Sequence, residues 1–109
     1  MSYAEFEVLE ERDGSRLVLV PRGDIDLSTA GDLQAAIERA LGDSATEVWV
    51  DLSEVQFMDS TGLSALVSGH RAGPLAVICP DGPARRVIEI SGLHQLLRVY
   101  RDRGSARQA

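Results

Sequence analysis

The chain reads as an α/β domain built on a mixed, mostly parallel sheet, in the order ββαβαβαβ. Three observations predict this. An Asp13-Gly14 hairpin signal near the start joins two strands antiparallel. Beyond it, short apolar runs alternate with segments whose apolar residues recur every three to four positions. One run, Leu75-Ala76-Val77-Ile78-Cys79, is apolar throughout, as a strand is when both its faces are covered.

The elements follow in order. Phe6-Glu7-Val8 alternates and leads to Asp13-Gly14; Leu17-Val18-Leu19-Val20 is the second strand, with Pro21 and Gly23 as its stop. Gly23-Asp24-Ile25-Asp26 then leads to Ser28 and Thr29, either of which is a fit N-cap. The first helix carries Leu33, Ala36, Ile37, Ala40 and Leu41 on one stripe and closes at Gly42. Val48 to Leu52 is the third strand. The second helix starts near Asp59-Ser60 and turns Leu63, Leu66 and Val67 inward. After the Leu75–Cys79 strand, Asp81-Gly82-Pro83 opens a third helix, with Pro83 in its first turn, Val87, Ile88 and Ser91 inward, and Gly92 at its end. Leu96 to Val99 is a last short strand. Residues 1–100 form one domain, and 101–109 a short polar tail, interrupted by Gly104, with room for one or two helical turns.

Composition narrows the function. A chain of 109 residues suits one domain that buries roughly two-thirds of its unfolded surface. No apolar run approaches the ~18 residues of a membrane span, and Met1-Ser2-Tyr3-Ala4-Glu5 carries no signal-peptide features. A cytoplasmic location is expected, with no membrane partner. The net charge of -6 argues against nucleic acid, which demands a basic face. All eleven cations are arginines, and those at the end, Arg98, Arg101, Arg103 and Arg107, read as a solvated tail. Cys79 reads as a small buried hydrophobe.

The absence of lysine excludes a P-loop, and with it a receiver domain, whose site engages its phosphoryl group through a lysine. Ser60 has Met58 and Gly62 where a hydrolase elbow has two glycines. His70 and His94 show no metal-ligand spacing. No enzyme constellation and no cofactor motif is left.

Two segments follow strands and so belong at the carboxyl edge of the sheet, where α/β proteins bind partners and ligands. These are Gly23-Asp24-Ile25-Asp26 and Met58-Asp59-Ser60-Thr61-Gly62. Each taken alone reads as a strand-to-helix turn with its cap. Extended to Gly23-Asp24-Ile25-Asp26-Leu27-Ser28-Thr29-Ala30 and Phe57-Met58-Asp59-Ser60-Thr61-Gly62-Leu63, and taken with Val50-Asp51-Leu52-Ser53 and Arg86-Val87-Ile88-Glu89-Ile90-Ser91-Gly92-Leu93, they resemble the anti-anti-sigma factors of the STAS domain family in order and spacing, from about Phe6 to Tyr100.

The resemblance implies a protein without catalytic activity. It implies that Ser60 accepts a phosphoryl group from an anti-sigma factor that is also an ATP-dependent serine kinase. The unphosphorylated form sequesters that partner and frees a sigma factor, and a metal-dependent serine/threonine phosphatase resets the switch. Gly23, Asp24, Asp26, Ser28, Thr29, Met58, Asp59, Thr61 and Gly62 would form the docking surface. Family members commonly end in a further helix, whereas residues 101–109 are few and polar. Two other readings stay open: a STAS subunit or scaffold of a lipid-transport or stress-sensing assembly with no phospho-switch, and a small hydrolase using Ser60.

Overall fold

A long second strand organises the sheet. In the computed structural model, which describes residues 6–43 and 47–109, β1 (Glu7–Asp13) pairs antiparallel with β2 (Arg16–Ile25) through the Gly14 turn. The opposite edge of β2 takes two parallel partners in succession. β3 (Val48–Asp51) pairs with Leu17 to Leu19, and β4 (Val55–Met58) pairs with Gly23 to Ile25. β5 (Leu75–Ile78) and β6 (Val99–Tyr100) continue the sheet beyond β3, both parallel. The stretch Met1–Glu5, read above for a leader, lies outside the described residues.

β2 does not stop at Pro21 and Gly23. The N–H of Leu17 donates to Glu47 O and that of Gly23 to Glu54 O, both on the β3/β4 edge. Strand alternation puts Pro21 on that same edge, in the interval after β3 and before β4, so its missing N–H interrupts neither ladder. Gly23 takes φ 111 at a register shift, a backbone state that glycine enters without strain, and the strand then runs on beside β4. The observed order is therefore ββαββαβαβα, with β4 and a terminal helix added to the sequence reading.

Helices α1 (Ala30–Gly42), α2 (Ser60–Ala72) and α3 (Pro83–Ser91) cover one face of the sheet. Their inward residues Leu33, Ile37, Leu63, Leu66 and Ile88 meet Leu19, Val50 and Val77. The expected stripes hold, except that Ser91 is exposed and caps the end of α3, accepting from Leu93 N and donating to Ile88 O. Pro83 opens α3 and Gly92 closes it at φ 79. A 3-10 turn, Leu93–Gln95, follows, and β6 begins three residues later than the Leu96 start expected.

The opposite face carries Val18, Val20, Trp49, Ala76 and Ile78. A last helix, α4 (Arg103–Gln108), lays Ala106 on it and is capped by Asp102, whose side chain accepts from Ser105 N. The C-terminal arginines are not a solvated tail. Arg103 bridges Asp51 and Glu11 at 2.8 Å each, and Arg107 holds Asp13 through both carboxylate oxygens. Arg101 pairs with Asp81, and Arg98 with Glu47. Glu47 also accepts from Trp49 Nε1, and the Arg16 guanidinium lies 4.6 Å from the Trp49 ring centre. Burial works against the Glu47 charge, but its bonds from Trp49 and Arg98 outweigh it and hold the carboxyl below its ordinary range. Of these acids Asp51, Asp13 and Glu47 are largely covered and gain most from their arginines, while Asp81 stays exposed. Burial likewise pushes the Cys79 thiol up to about 11, so it is inert at neutral pH, as its apolar run implied.

Candidate functional site

The parallel pairing of β2 with β4 ends with Ile25 opposite Met58. The next residues on the two strands, Asp26 and Asp59, therefore leave the sheet side by side at its carboxyl edge. The N–H of Asp59 donates to Ile25 O at 3.1 Å and ties the two exits together. Both carboxylates then serve as local acceptors.

Asp59 is the N-cap of α2: its Oδ1 accepts from Thr61 N at 2.9 Å and from the Thr61 hydroxyl. Asp26 does the same for the loop before α1, accepting from Ser28 N at 2.9 Å and Ser28 Oγ at 2.7 Å. The Thr61 hydroxyl holds the Asp59 carboxyl below its ordinary value, and the Ser28 hydroxyl does so for Asp26. The Asp26 charge opposes ionisation of Asp59. The hydrogen bonds win, and both stay charged at neutral pH.

Thr29 stands at the N-cap position of α1 without capping it by its side chain. Its hydroxyl donates to Asp24 O at 2.8 Å and accepts from Asp26 N at 2.9 Å, which closes the loop on itself. Asp24 is exposed, opposite Phe57 of β4 in the ladder. Ser60 is the first residue of α2 and is exposed. Among the described residues, no hydrogen bond engages its hydroxyl; Asp59 caps the helix and takes its bonds from Thr61.

The residues singled out from the sequence thus converge at one end of the sheet, but they differ in accessibility. Asp24, Ser28 and Ser60 are exposed; Gly23, Asp26, Thr29, Asp59 and Thr61 are half-buried. Met58, 1% exposed, and Gly62 are buried beneath the start of α2. A Cβ on Gly62 would stand 2.6 Å from both Ile25 Cγ2 and Met58 Cγ. These two residues therefore seat the helix on the sheet and offer a partner little surface. The sequence reading gave no role to three large apolar residues that stand exposed, one beside Asp26 in the chain and two on the β4 and α3 elements. Leu27 is 83% exposed, Phe57 49% and Ile90 79%. Their signal was present, as a leucine between Asp26 and Ser28 and a phenylalanine in an unrecognised edge strand.

The STAS domain family model matches residues 7–106. The anti-sigma-F factor antagonist RsfB of Mycobacterium tuberculosis is 34% identical over 87 residues, covering 76% of this chain and 71% of that protein. The anti-sigma-B factor antagonist of Listeria monocytogenes is 29% identical over 96 residues, 84% of each chain. The crystal structure of an anti-sigma factor antagonist from Mycobacterium paratuberculosis superimposes with a TM-score of 0.89 at 27% identity, covering 98% of this chain and 95% of that one.

Proposed function

The chain belongs to the STAS domain family, and from that premise we propose that it is an anti-sigma factor antagonist switched by phosphorylation of Ser60. The observation that carries the reading is the exposed Ser60 hydroxyl on the first turn of α2, beside the carboxylates of Asp26 and Asp59. Unphosphorylated, the chain binds an anti-sigma factor that is also an ATP-dependent serine kinase, and so frees a sigma factor. In the transfer step the Ser60 Oγ–phosphorus bond forms as the bond from the γ-phosphorus to ADP breaks, and the hydroxyl proton passes to a base of the kinase. A metal-dependent phosphatase hydrolyses the ester and restores binding. The relatives named above support the antagonist role.

The local physics favours a change of interface over a change of fold. A phosphate at the first turn meets the positive end of the helix, so α2 tolerates it. It nonetheless adds about -1.5 to -2 charges next to Asp24, Asp26 and Asp59. A partner fitted to a neutral hydroxyl then meets repulsion and a desolvation cost.

The test is incubation with the anti-sigma factor kinase of the same cell and ATP, read by intact mass. The wild type is expected to gain one phosphate, and Ser60→Ala none, while circular dichroism shows the variant folded. A phosphate gained by Ser60→Ala would move the acceptor to another residue. A wild type that binds the kinase without being modified would favour a scaffold role.

A further inference from the structure

A groove of about 360 Å³ lies between β4 and α3, walled by Phe57, Pro83, Val87 and Ile90, floored by Met58, with Arg86 at its edge. Exposed apolar surface of this kind marks a binding site more often than chance exposure does. Arg86 has no ion pair among the described residues, whereas its neighbour Arg85 is held by Glu89 and by Cys79 O. The groove is continuous with the switch: Phe57 is the ladder partner of Asp24, and Met58 leads directly into Asp59-Ser60. One surface therefore runs from acidic, through apolar, to basic.

We propose that this groove is the anchor pocket for the protein partner, filled by an apolar side chain from a segment that turns a hydrogen-bond donor or cation toward Asp24, Asp26 and Asp59 and a carboxylate toward Arg86. The inference rests on the antagonist reading above and names the chemistry of its partner. Charge complementarity selects this occupant. An acyl chain would satisfy the groove and Arg86 but leave three acids unanswered. A second copy would bring the same three acids and a net charge of -6 against its like. A few buried anchors carry most of an interface's affinity, so the groove supplies binding strength and Ser60, two residues beyond Met58 of its floor, decides whether that strength is used. Groove variants are thus expected to raise the KM of the kinase for this chain and to spare its kcat, since none touches the transferred group.

Calorimetric titration against the anti-sigma factor kinase of the same cell tests this. Ile90→Ser and Phe57→Ser are each expected to weaken binding about tenfold or more, and Arg86→Glu more than Arg86→Ala. Leu96→Ser, an exposed apolar residue away from the groove, is expected to bind as the wild type does. Ile90 is exposed enough for serine to leave the fold intact, and thermal unfolding checks Phe57→Ser. Wild-type affinity in both groove variants overturns the inference and leaves the antagonist reading standing. A wild type neither bound nor modified by the kinase removes that reading and takes the inference with it. Saturable decanoate binding that Ile90→Ser abolishes, or dimerisation that it abolishes, with kinase affinity unchanged, would assign the groove to another occupant and overturn the inference.

Discussion

Adjacent hydroxyl residues at the start of α2 have different employment. Thr61 gives both its N–H and its hydroxyl to Asp59, and Ser60 is exposed one position earlier. Asp59→Ala is expected to cost about 1 kcal/mol, the usual value of an N-cap, measured by urea unfolding. The same bonds set a pH dependence. Asp26 and Asp59 ionise in the folded protein below their ordinary value of 3.8. Depressed carboxylates contribute stability that is present above the unfolded value and lost as pH falls through the folded one. Urea midpoints are therefore expected to drop below about pH 4, and the drop to be shallower in Asp59→Asn. Gly62 tests packing at the same place. Alanine in an open helix would gain up to about 1 kcal/mol over glycine. Here the added methyl meets Ile25 and Met58 at 2.6 Å, so overpacking of about 1–3 kcal/mol decides the sign. Gly62→Ala is expected to lower the midpoint, and a raised midpoint would show that the helix start can shift.

At the scale of elements, β2 and β4 exist through each other. Val55 to Met58 is four residues with the outer two buried and the inner two exposed, so it lacks the strict alternation that announces a strand. Its partner, Gly23 to Ile25, follows Pro21 and begins at a glycine, a pair that reads as a strand end. Only long-range pairing makes both segments extended, and neither is legible without the other. The helices α1, α2 and α3 were legible because apolar stripes, Pro83 and Gly92 act locally. The acids of the site were legible for the same reason, since caps are short-range chemistry. The groove was not, because it joins β4 to α3 across the fold. α4 is similar: Arg103 to Gln108 has no apolar stripe, and it docks through Ala106 and ion pairs to distant acids. Those pairs are unequal. Asp51 is 5% exposed, and Arg103 answers its charge, while its other oxygen accepts from Ser53 N. Arg103→Ala is expected to cost about 3 kcal/mol by stranding that carboxylate, near the low end for a broken buried pair. Arg107→Ala removes a more exposed pair and is expected to cost clearly less. Denaturant midpoints of the two variants compare them directly, and equal losses would mean that Asp51 finds water when Arg103 is removed.

For the whole molecule, the proposed switch has Ser60 link a charge change at one helix start to assembly with a partner, with the fold as a constant frame. Ser60→Asp places one negative charge where phosphate places nearly two, in a smaller group. At an exposed helix start it is expected to shift stability by no more than about 0.5 kcal/mol, since nothing buried changes and the helix end favours an anion. Its effect on the complex is expected to be much larger. Like charges brought together in an interface cost several kcal/mol, and each ~1.4 kcal/mol is tenfold in affinity. With Asp24, Asp26 and Asp59 already beside it, Ser60→Asp is expected to weaken kinase binding roughly ten- to a hundredfold, and phosphorylation by more. Added salt is expected to recover little of that loss, because charges inside a closed interface are screened less than exposed ones. Titration of the wild type, Ser60→Asp and the phosphoprotein at two ionic strengths measures both effects. Equal affinities for all three would remove Ser60 as the switch. Full recovery of the variant's binding by salt would place the repulsion in the diffusional approach of the partners, outside the docked surface.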